Sequence, residues 1–218
     1  MSDFELMRQN MVKGQILPEG VTHPPVLEAF LKVPREAFVP RQLSHIAYID
    51  ENFPLSANRV LLRPATLAKL LQALNPSQED KILYIASGSG YGPALLNHMG
   101  AHVVALESEP SLSQEAERII QELNMPTIEV VLGPLEEGWE AEAPYDKMLI
   151  EGSVEFVPET LVKQLKDGGV IATLKRTKEG SVKAFLYLKE GLTLTEICLF
   201  DAFAPLFKVF KKEKSFIF

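Results

Sequence analysis

The stretch ILYIASGSGYG, Ile82 to Gly92, decides how this sequence folds. An apolar, β-forming run breaks into small residues and glycine, the pattern of a buried strand turning sharply into a helix. Downstream the same grammar repeats: YGPALLNHM, HVVALE, LSQEAERIIQEL, TIEVVL, YDKMLIEG, PETLVKQLKDGG and VIATLKR alternate helix and strand periods. Such βαβ units, joined by right-handed crossovers, place their strands in one parallel sheet with helices on both faces. SVKAFLYLKE and LTLTEICLF meet at Glu190-Gly191 and read as a hairpin, so at least one of them lies antiparallel at the far edge of the sheet.

Upstream of the turn the chain reads as helical. Ser2 and Glu5 form a capping box, Thr22 precedes VLEAFLKV with Pro34 closing it, and RQLSHIAY adds a short piece. DENFPLSANRVLL reads as polar and irregular, and Pro64 then opens an amphipathic helix with Leu67, Leu70, Leu71 and Leu74 on one face, ended by Asn75 and Pro76. The organisation expected is a helical N-terminal extension with a substrate loop, residues 1–75, packed on a core of residues 76–218 as one compact unit.

With 218 residues, 46% hydrophobic and 23% charged, the chain can bury a sizeable core. Its net charge of -7 argues against a general nucleic-acid or anionic-membrane binder, both of which need a basic surface. The terminal lysines of FKVFKKEKSF read as solvating a turn, and the phenylalanines of FDAFAPLFKVF with the final FIF as tucking onto the sheet. Cys198, in EICLF, has no internal disulfide partner and reads as a small core residue. The N-terminus has no signal-peptide pattern and no apolar run is long enough to span a bilayer, so a cytoplasmic protein is expected. His23, His45, His98 and His102 are scattered without metal-ligand spacing, so no metal site is expected.

Ligands of open α/β sheets bind beyond the carboxyl ends of the strands, where the ILYIASGSGYG turn should lie. Gly88 and Gly90 suit close backbone approach to a ligand, although a plain tight turn needs them equally. Glu107, ending VVALE about twenty residues on, has the spacing of a carboxylate that receives both hydroxyls of an adenosine ribose; otherwise it is a solvated strand end. Pro93 and Ala94 stand where a dinucleotide motif has its third glycine, which favours a single adenosine-bearing ligand over NAD. Glu151 and Glu155 follow the fourth strand of the core at the same face and either line an acceptor pocket or cap a helix, while Trp139 reads as a packing residue over a loop.

The segments MVKGQILPEGV, VLEAFLKVPREAFVP, AYIDENFPL, GSGYG, VVALE, GPLEEGW, APYDKMLI and LVKQLKDGGVIA resemble the protein-L-isoaspartate O-methyltransferase family over nearly the whole chain, VPREAFVP being the most particular. The resemblance implies a Rossmann-like, seven-stranded S-adenosylmethionine-dependent methyltransferase fold, mostly parallel with an antiparallel edge strand. It further implies S-adenosylmethionine (SAM) as cofactor, with Glu107 on the ribose and Gly88 and Gly90 beside the methionine part, and methylation of a carboxylate on a protein, a peptide or a small-molecule acceptor. The cofactor-binding set is then Ala86, Ser87, Gly88, Ser89, Gly90, Glu107, Gly133 and Pro134. Departures from the family pattern fall at the same end of the sheet. Leu62 stands at the active-site serine, Val60 and Arg59 at a threonine and a glutamine, Tyr84 at an acid, Ala86 at the first glycine, and Pro134 at an adenine-binding aspartate. Leu62, Val60 and Arg59 speak against isoaspartyl repair itself, and the departures together leave open a different acceptor or a catalytically inactive binding or scaffold member. Arg59 and Arg63 are the candidates for holding an anionic acceptor, since a guanidinium binds a carboxylate in bidentate fashion, unless both are solvated loop residues.

Overall fold

The computed structural model describes residues 3–212, so the capping box at Ser2 and the final FIF lie outside the described residues. Helix α1 (Asp3–Met11) is followed by α2 (Pro24–Lys32), whose prolines sit in the first turn, where a helix has no use for their missing N–H groups. Val26, Ala29 and Phe30 form the buried face of α2. The leader then turns through short 3-10 segments at Arg35–Phe38 and Arg41–Ile46. The stretch expected to be irregular contains a small hairpin, β1 (Phe53–Pro54) antiparallel to β2 (Val60–Leu61), too short to show an alternating pattern. Helix α3 (Pro64–Leu74) buries the expected leucine stripe and ends on Asn75, which adopts the left-handed conformation, φ 46°, with its N–H on the Leu71 carbonyl.

The core follows as β3 (Lys81–Ile85), α4 (Tyr91–His98), β4 (His102–Glu107), α5 (Pro110–Glu122), β5 (Ile128–Leu132), β6 (Tyr145–Val154), α6 (Glu159–Gln164), β7 (Leu165–Arg176), β8 (Val182–Glu190) and β9 (Thr193–Asp201). These strands make one seven-stranded sheet in the order β5-β4-β3-β6-β7-β8-β9. The first five in that order are parallel, and β8 runs antiparallel to both β7 and β9. Alternating residues of β3 feed two apolar cores, Ile82 and Tyr84 on the face covered by the N-terminal helices and Leu83 and Ile85 on the other. Strand order reverses between β3 and β6, which opens a crevice at their carboxyl ends.

Past β9 the chain returns across that crevice. Ser153 N–H donates to Pro205 O, Phe207 N–H to Ser153 O, and Glu155 N–H to Phe210 O. The Phe207 ring lies on Gly152, where an added Cβ would come within 2.3 Å of it, so only glycine admits this segment. Phe207 and Phe210 are buried as expected, whereas Phe203 stands in solvent.

Two further expectations need correction. The helix foreseen over PETLVKQLKDGG ends at Gln164, and Leu165 already pairs with Tyr145 of β6. Close approach of Gly169 to the Asp146 carbonyl, where a Cβ would sit 2.8 Å away, binds this end to the sheet rather than to a helix. Cys198 is exposed, because β9 is the outer edge strand and an irregularity in its pairing with β8 near Phe185 breaks the alternation. Among the described residues no helix is long and apolar enough to cross a membrane. Cys198 should therefore react with a thiol reagent in the native protein at the rate of an exposed cysteine; reaction only after denaturation would return it to the core.

Candidate functional site

The turn after β3 is held in a conformation that suits glycine. Ala86, Gly88 and Gly90 have φ of 62°, 55° and 95°, and the alanine methyl in the left-handed region costs on the order of 1 kcal/mol. Ser87 N–H donates to Leu106 O of β4, and Gly90 N–H to Ser87 O. The leader locks the turn from above. Ser89 Oγ donates to Phe38 O at 2.6 Å, and the Tyr91 ring packs against Phe30 and Phe38. Arg35, fully buried, lies 5.0 Å from the Tyr91 ring centroid and donates to Ala47 O and Leu62 O. VPREAFVP thus ties the turn after β3 to the loops flanking the hairpin.

At the tip of β4, Glu107 is completely buried. Its carboxylate accepts the backbone N–H groups of Gly88, Ser108 and Glu109 at 2.6 to 2.9 Å. It also accepts a fork from Arg59, Nε at 3.1 Å to both oxygens and Nη2 at 2.9 Å to Oε1. Arg59 lies in the β1–β2 loop and is 5% exposed; Nη2 also donates to Ser108 Oγ, Nη1 lies 3.8 Å from Glu109 Oε1, and the guanidinium stacks 4.9 Å from the Phe207 ring centroid. One such pair, desolvated and geometrically satisfied, is strongly destabilising to break from one side only, by roughly 3 to 5 kcal/mol. Beside it lies a cavity of about 360 Å³ lined by Asn58, Arg59, Ser108, Glu109, Pro134, Leu135 and the returning segment from Pro205 to Val209. The Ser87 hydroxyl is buried without a hydrogen-bond partner among the described residues.

The other sequence-derived candidates fall in different places. Gly133 donates its N–H to Glu107 O, and Pro134 reaches the cavity wall. Gly88 is covered by Leu55, whose Cδ1 is 2.8 Å from where a Cβ would stand. Arg63 lies apart from Arg59: its guanidinium pairs with Asp50 at 2.7 Å and Glu19 at 3.0 Å, and these partners hold its pKa up. Leu62 is buried, with N–H on Glu151 Oε1 and carbonyl on Arg35, so the position expected for a serine offers no hydroxyl. Glu155 binds the returning segment through Lys212 N–H, and Trp139 packs on the loop at Gly133. Sequence reasoning did not connect Arg59 with Glu107, nor find Leu55, Glu109 and Phe207; a new cation in a loop facing a conspicuous acid was the available signal for the first.

Glu151 sits inside the crevice and is 2% exposed. Tyr84 Oη donates to its Oε2 at 2.7 Å; a side chain on Gly92 would collide with that hydroxyl, so the glycine makes room for Tyr84. Burial pushes the Glu151 carboxyl up to about 7, against hydrogen bonds from Tyr84 and Leu62 and the charge of Arg35, while Glu107 adds to the rise. The native state therefore keeps a proton that the unfolded chain has lost, and stability falls as pH rises from about 4.5 to 7, by roughly 3 kcal/mol in total. Glu151→Gln should flatten that limb of the stability profile in denaturant titrations from pH 4.5 to 8, and an unchanged slope would remove Glu151 as its source.

Residues 6–208 match the model of the family Protein-L-isoaspartate(D-aspartate) O-methyltransferase (PCMT). The chain is 31% identical over 208 residues to the protein-L-isoaspartate O-methyltransferase of Ignicoccus hospitalis, covering 93% of this chain and 98% of that one. It is 38% identical over 159 residues to that of Rhodopseudomonas palustris, 73% of each chain. Among solved structures, a protein-L-isoaspartate O-methyltransferase superposes with a TM-score of 0.79 at 23% identity, over 91% of this chain and 65% of that one. A Plasmodium falciparum structure described as a beta-aspartate methyltransferase (PCMT), in complex with S-adenosyl-L-homocysteine, superposes with a TM-score of 0.78 at 18% identity, over 98% of this chain and 100% of that one. The seven-stranded mixed sheet with its helices matches the Rossmann-like methyltransferase fold of these structures. From its leader to the segment that closes the crevice, the chain belongs to the protein-L-isoaspartate(D-aspartate) O-methyltransferase family.

Proposed function

We propose that this protein is a SAM-dependent O-methyltransferase that receives the cofactor's nucleoside on Glu107 and methylates a carboxylate. The observation that carries this reading is the buried Glu107 carboxylate, fixed by the N–H groups of Gly88, Ser108 and Glu109 beside a cavity of about 360 Å³. The nucleoside end of SAM fits this site in place of the guanidinium: the Arg59 fork gives Glu107 a pair of donors, as the two ribose hydroxyls would. Gly133 and Pro134 then border the adenine, Ser87 has a free hydroxyl for the ligand, and the methionine part lies toward Gly88 and Gly90, where Leu55 must give way.

When bound, SAM supplies an electrophilic methyl on a sulfonium. A carboxylate acceptor is already ionised at neutral pH, so the protein's own work is to align it and exclude water, and no strong base is required. The returning segment at Phe207 and the β1–β2 loop supply that enclosure. Isoaspartyl repair is disfavoured by Leu62, whose backbone groups are both engaged and whose side chain offers no hydroxyl. The acceptor is then another protein, peptide or small-molecule carboxylate, and we place the reaction in the cytoplasm, with residues 1–75 forming the substrate-facing extension.

A second reading, a non-catalytic binding or scaffold member, is favoured by the ion pair of Arg59 with Glu107, which occupies the acid that a ribose needs. Calorimetry with S-adenosylhomocysteine separates the two. The first expects binding that Glu107→Ala weakens by roughly 1 to 3 kcal/mol, as for a lost hydrogen bond to a charged group. No heat up to millimolar ligand, together with no transfer of labelled methyl from SAM to carboxylate acceptors, would establish the second.

A further inference from the structure

Arg59 is the buried member of a turn whose tip is exposed. Ala57 and Asn58 stand in solvent, and the turn is closed by Leu55 and Ser56 N–H groups on the Arg59 carbonyl, so the backbone anchors without the side chain. The guanidinium itself is held by charge and by the Phe207 ring, between two carboxylates of unequal burial. Glu107 is fully buried, whereas the Glu109 side chain is 26% exposed on the cavity wall, 3.8 Å from Arg59 Nη1 and fixed by a hydrogen bond from Ser56 Oγ.

We propose that Arg59 is a gate that competes with the cofactor's ribose for Glu107 and moves onto Glu109 when the ribose binds. The proposal rests on reading the site as a SAM site. Its physical basis is charge conservation in a buried place. A ribose that displaced Arg59 into apolar surroundings would leave an unpaired cation, which a protein interior does not tolerate. Glu109 removes that obstacle, because a small rotation keeps the guanidinium paired while two hydroxyl donors replace its fork on Glu107. Arg59 Nη1 already stands 3.8 Å from Glu109 Oε1, so the rotation needed is short. Without ligand, the fork and charge of Arg59 on the fully buried Glu107 favour the closed state, and the apparent affinity falls by the fraction of the protein that is open. Arg59 is therefore a determinant of cofactor affinity, and Glu109 a positioning residue acting through it.

The test is calorimetric titration of the ligand-free protein with S-adenosylhomocysteine in four forms: wild type, Arg59→Gln, Glu109→Gln and the double variant. The gate expects Arg59→Gln to bind at least tenfold tighter than wild type and Glu109→Gln several-fold weaker, with no effect of Glu109→Gln once Arg59 is already glutamine. Equal or weaker binding by Arg59→Gln overturns the gate while leaving the SAM site standing, provided wild type binds. Equal weakening by Glu109→Gln in both backgrounds assigns Glu109 to the ligand and overturns its part in the gate. No binding by any form overturns gate and SAM site together. Arg59→Gln leaves Glu107 its three backbone donors; should it nonetheless fail to fold, Arg59→Lys, which loses the fork but keeps the charge, should bind several-fold tighter than wild type, and binding no tighter overturns the gate. Thermal shifts supply a second readout: Arg59→Gln should melt lower than wild type when free and gain more from S-adenosylhomocysteine.

Discussion

A carboxylate with no access to water must find its donors inside the protein, and the carboxyl end of this sheet is arranged around that need at Glu107. The Gly88 N–H comes from the turn after β3, those of Ser108 and Glu109 from the turn leading into α5, and the Arg59 fork from the β1–β2 loop. Three chain segments far apart in sequence are therefore fixed relative to one another by one side chain. The strained backbone of the turn, with Ala86 in the left-handed region, is part of the same requirement, since it aims the Gly88 N–H at the carboxylate.

The leader extends this arrangement outward. Arg35 donates to the loops on either side of the hairpin, and Ser89 donates to Phe38 O, so the N-terminal segment and the turn after β3 hold each other. From the opposite side the segment after β9 closes the crevice, with Phe207 seated on Gly152 and its ring against the Arg59 guanidinium. Beneath these, Tyr84 and Glu151 form a buried hydrogen-bonded pair between β3 and β6, with Leu62 N–H on the second carboxyl oxygen. The departures from the family pattern at Arg59, Leu62, Tyr84 and Ala86 are thus not independent: each touches Glu107, Glu151 or the turn that links them.

Much of this molecule was legible in its sequence where the signal is periodic or chemical at short range. The alternation from Lys81 onward gave the parallel sheet, prolines and Asn75 marked the ends of α2 and α3, and the spacing from turn to acid singled out Glu107. Less was legible where the outcome depends on what packs alongside. Cys198 lies in an apolar run yet is exposed, because β9 is an edge strand with an irregular partner. The β1–β2 hairpin is too short to leave a pattern, and α6 stops early because Leu165 pairs with Tyr145. Arg59 and Arg63 look equivalent on the page, but one reaches a buried acid and the other a pair of surface acids.

By itself, then, the sequence determined the layers and the direction of the strands, because hydrophobic period and turn chemistry act over a few residues. Only the tertiary structure decided what the acid at the end of β4 holds. That depends on long-range partners: a loop 48 residues earlier delivers the Arg59 guanidinium to Glu107, and a segment from beyond the sheet's last strand covers the pair with Phe207. Local composition carries no record of such meetings, which arise when desolvation obliges a buried charge to take whichever donor the fold brings within reach.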